Sequence, residues 1–218
     1  NIIRNTKDRI FIQSKVFDNP DLVHNNPDYI ASLAMMPEAE RRALLEGDWD
    51  SFGGQVFKEW KNDQEGYNTQ QWSHVINPFK IPEGWEIIRG YDHGYAKPFS
   101  VGWYAVDYTG CIYRIRELYG MKKDSPNVGI EIQPADVARQ IRAIEETDPN
   151  LKGRRITGIA DPSIFAKDRG PSIAYTMSKL GVYWAPGDNH RIAGKMQYHY
   201  RMAFDEHGRS MFYVFKNC

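Results

Sequence analysis

The stretch Trp85–Gly120, WEIIRGYDHGYAKPFSVGWYAVDYTGCIYRIRELYG, decides the fold. EIIRGYD, FSVGWYAVD and CIYRIRELY are rich in β-branched and aromatic residues and are bounded by turn chemistry, which predicts three strands in succession. DYTG between the second and third is a hairpin signal, so these strands run antiparallel. The first strand ends in Asp92, followed by His93 and Gly94. A carboxylate at a strand end is either a turn residue or a group that holds something, because a polar group placed there needs a partner.

Downstream, the pattern changes to alternating helices and strands. MKKDSPNVGIEIQ reads as a loop. A helix is predicted from Pro134 to about Glu146, with Val137, Ala138, Ile141 and Ile144 on one apolar face. RRITGIADPS is a short buried strand stopped at Asp161 and Pro162, and SIAYTMSKLG is a helix ended by Gly181. VYWAPG is a further strand, NHRIAGKMQYHYRMAF an amphipathic helix, and the chain closes on the strand in SMFYVF. The order β-β-β-α-β-α-β-α-β predicts an α/β domain with a mixed sheet. Upstream, Arg9–Phe17 is expected to be extended. Two Asn-Pro turns, a short helix around Tyr29–Met35 and a helix in PEAERRALLEG follow, the last with Pro37 in its first turn and Gly47 at its end. Lys61–Ser73 is polar and reads as a linker or long loop, so a boundary is expected near residues 61–80.

Bulk properties narrow the field only modestly. At 218 residues the chain holds one domain or somewhat more. With 28 basic and 28 acidic residues, net charge argues for no partner class, although a basic face could still meet a nucleic acid. Cys111 and Cys218 lie far apart without a CxxC neighbour, so neither a disulfide framework nor a structural zinc site is expected, and a reducing, intracellular setting fits. No apolar run reaches membrane-spanning length, and no signal peptide pattern is present. The opening at Asn1 and the stop just after a strand predict a fragment of a longer protein. No GxxxxGK[ST] occurs, since the GKM at Gly194 lacks both the spacing and the hydroxyl; no ATPase activity is expected.

Two strands end in an acid followed by a small or turn residue: Asp92 in RGYDHG and Asp161 in GIADPS. In a mixed sheet, neighbouring strand ends can bring such acids together. Paired carboxylates repel unless a cation neutralises them, and a hard divalent ion with oxygen ligands does so. Two such ions can clamp the attacking and leaving oxygens of a phosphodiester. Glu117 is placed by alternation with Tyr113 and Ile115, either as a third ligand or support, or as an edge-strand charge paired with Arg114 or Arg116. His93 reads as a polar turn residue or as a group facing a ligand. Asp188 or Asn189 reads as the N-cap of the helix that follows. Basic residues gather in the second half: Arg154, Arg155, Lys167, Arg169, Arg191, Lys195 and Arg201. Of these, Lys167, Arg169, Arg191 and Lys195 are the predicted phosphate contacts, with AKDRG the best candidate for a DNA-contacting loop.

The strand order, with an acid on the first strand and another ending a later one, resembles the ribonuclease H-like fold. FDNP, LLEGDWD, RGYDHGYAKPFSVGWYAV, ELYG, IADPS and GDNHRIAGK, in this order, resemble the large terminase subunit of tailed bacteriophages across nearly the whole chain. The resemblance implies that residues 1–71 form the end of an ATPase region and its connector. Residues 72–218 would be a ribonuclease H-like nuclease domain, truncated before its C-terminal helix. It implies a metal-dependent endonuclease that cuts concatemeric double-stranded DNA with two Mg²⁺ or Mn²⁺ ions. Asp92 matches the metal ligand of the family's first strand and Asp161 the acid ending its later central strand, with Glu117 in support. The family's remaining ligand sits in a C-terminal helix, in a pattern like D-H-x-x-D, which this sequence lacks; Asp205 and Glu206 lie in the surface turn DEHGR. The implied partners are double-stranded DNA, the terminase small subunit and the portal protein, in the host cytoplasm, with the fragment monomeric. The competing readings are another ribonuclease H-like enzyme, such as a resolvase or integrase, and a non-catalytic module docking on DNA or the portal ring.

Overall fold

A computed structural model describes residues 4–6, 9–11, 16–26, 30, 33, 57–167 and 170–218, and the chain divides into two units, 1–58 and 59–218. In the first unit, β1 (Arg4–Thr6) pairs antiparallel with β2 (Arg9–Phe11). A 3₁₀ turn at Val16–Asp18 and a short helix, α1 (Pro20–Asn25), follow. Of the run expected to be extended over Arg9–Phe17, Arg9–Phe11 is strand and residues 16–17 belong to that turn. The helices expected at 29–35 and 37–47 fall almost entirely outside the described residues.

The second unit is a seven-stranded mixed sheet. Its strands are β3 (Val75–Ile76), β4 (Glu86–Asp92), β5 (Ser100–Val106), β6 (Ile112–Tyr119), β7 (Ile156–Ala160), β8 (Ala185–Pro186) and β9 (Phe212–Phe215). The spatial order is β3-β9-β6-β5-β4-β7-β8. β4, β5 and β6 form the antiparallel meander expected, while β7 lies parallel beside β4 and β8 parallel beside β7. The run β6-β5-β4-β7-β8 is the ribonuclease H-like arrangement. β9 and the two-residue β3 extend it in parallel on the far side of β6.

Local chemistry explains the elements. Asp107 closes the β5–β6 turn: its Oδ1 accepts hydrogen bonds from Thr109 N (2.8 Å), Thr109 Oγ1 (2.7 Å) and Cys111 N (3.0 Å), and Gly110 supplies φ +83°. Partial burial alone would push the Asp107 carboxyl up, but those donors hold it below its usual pKa. Helix α2 (Pro134–Thr147) starts with proline in its first turn and buries Val137, Ala138, Ile141 and Glu145. Helix α3 (Ile173–Ser178) is capped by Ser172, whose Oγ accepts from Tyr175 N at 3.1 Å. The core joins Ile87, Tyr91, Val101, Trp103 and Ala105 of the sheet to Val137, Ala138 and Ile141 of α2 and Met177 of α3. Burying each large side chain contributes roughly 1.5–3 kcal/mol before chain entropy is subtracted.

A buried ion pair ties α2 to β4. Arg89 and Glu145 are 3% and 9% exposed, with Arg89 Nη1 donating to Glu145 Oε1 at 2.5 Å. Trp103 Nε1 donates to the same oxygen at 3.0 Å, and Arg89 Nη2 reaches Tyr183 O at 2.8 Å. The other face of the sheet carries α4 (Arg191–Met202). There Gly194, Gln197, Tyr198 and Arg201 line an apolar groove with Ile88, Tyr104, Val106 and Ile112.

The polar stretch read as a linker belongs to the second unit from Glu59 onward. His74 fastens it. This fully buried ring accepts from Lys61 N at Nδ1 (2.9 Å), so the proton sits on Nε2, which donates to Met202 O (2.8 Å). Trp60 stacks on the same ring, with centroids 5.3 Å apart.

Candidate functional site

Asp92 is the last residue of β4. Ile87, Arg89 and Tyr91 point into the core, so alternation sends Ile88, Gly90 and Asp92 to the face that carries α4, and Asp92 is exposed. Asp161 follows β7 immediately. The registers pair Gly90 with Ile159 and Tyr91 with Ala160, so Asp92 and Asp161 come next on adjacent parallel strands, at the same end of the sheet. Asp161 N donates to Tyr91 O at 3.4 Å, which ties the two strand ends together. Asp161 Oδ1 accepts from Ser163 N at 2.8 Å, capping a 3₁₀ turn over Pro162–Phe165.

A third acid joins them from β8, the strand within VYWAPG. Ala160 pairs with Pro186 of β8, and Gly187 N donates to Ala160 O at 2.8 Å, which delivers Asp188 to the same end. Asp92, Asp161 and Asp188 line one cleft of about 480 Å³, together with Tyr91, Pro162 and Asn189. Neither Asp188 nor Asn189 is the helix cap expected from the sequence. His190 occupies the cap position without a side-chain cap bond, and Asp188 Oδ1 accepts from His190 N at 2.9 Å while also pairing with the imidazole Nδ1. These contacts hold the Asp188 carboxyl below its usual pKa.

The chemistry of this donor set is oxygen only, and three carboxylates in one cleft concentrate negative charge, a field that draws cations. Asp92 and Asp161 therefore suit a hard divalent ion in kind. Among the described residues no group of three or more His, Cys, Asp or Glu side chains is gathered closely enough to hold a metal ion.

Glu117 lies elsewhere. The β5–β6 register skips Ile115, pairing Trp103 with Arg116 but Tyr104 with Arg114, and this bulge shifts the alternation. Glu117 thus falls on the face of Tyr104 and Arg114, not with Tyr113 and Ile115 as simple alternation predicts, and pairs with Arg114 at 3.2 Å. It pairs in register with Gly102 and does not line the cleft.

His93 is half-buried and bonds Tyr91 Oη through Nδ1 at 2.8 Å. Burial lowers the His93 pKa, and the neighbouring Asp92 opposes that shift in part. Lys167 and Lys195 are exposed, Arg169 lies outside the described residues, and Arg191 starts α4, its side chain likewise outside them. Two of the other basic residues serve the fold: Arg154 Nη2 bonds Pro82 O and Trp85 O at 3.1 and 2.6 Å, and Arg201 Nη1 bonds Gly110 O at 2.7 Å. Asp205 accepts from His207 N and Arg209 N within its turn. Among the described residues no helix is long and apolar enough to cross a membrane.

No family model matches the sequence, and no curated protein matches it in sequence. Solved structures do match in fold. The phage P22 large terminase nuclease domain superposes with a TM-score of 0.50 at 15% identity, over 75% of this chain and 75% of that one. The large terminase of a thermophilic bacteriophage, in complex with ADP, matches with a TM-score of 0.52 at 15% identity, over 94% of this chain but 44% of that protein. In complex with ATP-γ-S the same terminase matches with a TM-score of 0.53 over 75% of this chain. The chain therefore spans less than half of the thermophilic phage protein, and its sheet has the ribonuclease H-like fold of phage large-terminase nuclease domains.

Proposed function

We propose that this chain is the endonuclease part of a viral DNA-packaging terminase and hydrolyses phosphodiester bonds of double-stranded DNA at the Asp92–Asp161 cleft. The observation that carries this reading is the adjacency of two exposed carboxylates at the ends of the parallel neighbours β4 and β7, over a cleft open to solvent. The fold shared with terminase nuclease domains supports it. Asp92 and Asp161 would hold the Mg²⁺ or Mn²⁺ ions. Ions bound there would lower the pKa of a water and neutralise charge at the phosphoryl oxygens. The chain's own contribution is placement. Asp161 is fixed by its bond from Ser163 N, and the Tyr91–His93 hydrogen bond steadies the backbone on either side of Asp92. Asp188 adds negative charge on the β8 side, and Glu117, held by Arg114, acts on the site only through its field.

Lys167, Arg169, Arg191 and Lys195 are the proposed phosphate contacts. Such contacts position a duplex without reading its sequence, so cutting is expected to be sequence-independent. Terminase small subunit, portal protein and a host-cytoplasmic setting belong to the same proposal.

The test is cleavage of supercoiled plasmid by the purified chain in Mn²⁺, with Asp92→Ala and Asp161→Ala beside it. Nicked and linear products from the parent chain, abolished by EDTA and lost in both variants, are the expected result. Unchanged cleavage by Asp92→Ala would falsify the site.

A further inference from the structure

The carboxylates stand at one end of a row that crosses the sheet. Asp92 pairs with Ser100, and Ser100 pairs with Tyr119. Directly opposed residues on antiparallel strands share a face, so Tyr119 rises from the same face as Asp92, two strands across. At about 4.8 Å per strand, the two Cα atoms are roughly 10 Å apart. Tyr119 is 49% exposed, so the core does not account for an aromatic ring at this position.

Beyond Tyr119 the chain makes a small hairpin. Met121 bridges Gly129, Lys122 N donates to Val128 O at 2.8 Å, and the exposed Lys122 and Lys123 stand near its tip. The hairpin is joined backbone to backbone with the loop that follows Asp92. Gly129 N donates to Ala96 O and Gly120 N to Phe99 O, both at 2.9 Å, and a Cβ on Gly129 would lie 2.2 Å from Tyr95 O. Tyr119, Lys122, Lys123, Tyr95 and Lys97 thus belong to one ledge, continuous with the strand that carries Asp92, and all five are exposed.

We propose that this ledge holds a single-stranded stretch of DNA beside the carboxylates, with a base stacked on Tyr119 and the flanking phosphates met by Lys122 and Lys123. The inference rests on the nuclease reading and deepens it: the preferred substrate carries unpaired nucleotides next to the bond to be cut. Lysines alone would serve a duplex equally well. An exposed aromatic ring in the carboxylate row serves an unpaired base, because bases in a duplex already stack on one another. Tyr119 is then a positioning residue, since it holds the strand without touching the reacting phosphate.

The test is fluorescence anisotropy of the whole chain in EDTA with a short labelled single strand and with its duplex. Tyr119→Ala should weaken single-strand binding on the order of tenfold and duplex binding by less than about twofold, while Tyr119→Phe restores the parent affinity. Lys122→Ala/Lys123→Ala should flatten the salt dependence of single-strand binding. Unchanged single-strand binding by Tyr119→Ala, an equal loss on both DNAs, or failure of phenylalanine to rescue overturns the ledge and leaves the nuclease reading to plasmid cleavage. A parent chain that binds neither DNA likewise overturns the ledge, and the nuclease reading stands or falls on plasmid cleavage in Mn²⁺.

Discussion

Replacing Glu145 by alanine removes the carboxylate that faces Arg89 beneath the sheet. The Arg89 guanidinium would keep its bond to Tyr183 O and its place over the Trp184 ring, 4.1 Å from the centroid, but neither neutralises it. Burial already lowers the Arg89 pKa, and the charge of Glu145 is what opposes that shift. Breaking a buried pair by deleting one partner costs about 3–5 kcal/mol. The Trp103 indole N–H loses its acceptor in the same step, which keeps the expectation at the upper part of that range, about 4 kcal/mol. With a urea slope of about 2 kcal/mol per molar, the midpoint should fall by roughly 2 M in circular dichroism. Glu145→Gln retains an acceptor for both donors and should lose less. Arg89→Met/Glu145→Leu should recover most of the stability, because removing both charges also removes their desolvation cost. A midpoint drop under about 0.5 M for Glu145→Ala would refute the reasoning, because the guanidinium would then have found water or another anion in the folded state.

Other outcomes follow from the same geometry. Asp161→Asn should lower plasmid cleavage in Mn²⁺ by at least about a hundredfold with an unchanged circular dichroism spectrum, since it alters a proposed metal ligand and not the core. His74 gives a pH dependence. Burial lowers its folded pKa below the ordinary 6.5, so below about pH 6.5 the unfolded chain binds a proton that the folded chain does not. Its contribution is therefore complete above that pH and declines on acidification, and the melting temperature of His74→Phe should fall less between pH 7.5 and 5 than that of the parent. Gly129→Ala forces a methyl onto the carbonyls of Tyr95 and Lys97, at 2.2 and 2.5 Å, which are backbone atoms that cannot swing aside. It should cost about 1–3 kcal/mol in thermal unfolding and raise hydrogen exchange at residues 120–130.

The meander was legible because each of its strands carries its own signal. Ile87, Arg89 and Tyr91 alternate with Ile88, Gly90 and Asp92, and the Asp107–Gly110 turn announces the reversal. Asp92 and Asp161 could be singled out as acids at strand ends, but their adjacency depends on β7 adding beside β4 through a crossover of more than sixty residues from β4 to β7, and no local pattern encodes that choice. β3 is two residues long, too short for any periodicity. β8 lies within VYWAPG, which reads as a strand, but its pairing beside β7 is what carries Asp188 to the cleft, and no local signal distinguishes that from a cap at Asp188 or Asn189. Simple alternation misplaces the face of Glu117 for a smaller reason, while its pairing with Arg114 is the alternative the sequence offers. One bulged residue, Ile115, inverts the count for everything after it, and nothing in RIRELYG marks the bulge.

The pair Gly90 and Gly102 gives the sheet a further property. These residues sit opposite one another on β4 and β5, and the Tyr104 ring lies back across the bare backbone, its hydroxyl 2.6 Å from where a Gly102 Cβ would be and a ring carbon 3.5 Å from that of Gly90. One side chain thus furnishes the surface of three positions. Alanine at position 102 requires the Tyr104 ring to shift, and a small residue at position 104 uncovers two strands of backbone. The effects of substitutions at 102 and 104 should therefore depend on one another, whereas alanine at position 90 meets only ordinary contact.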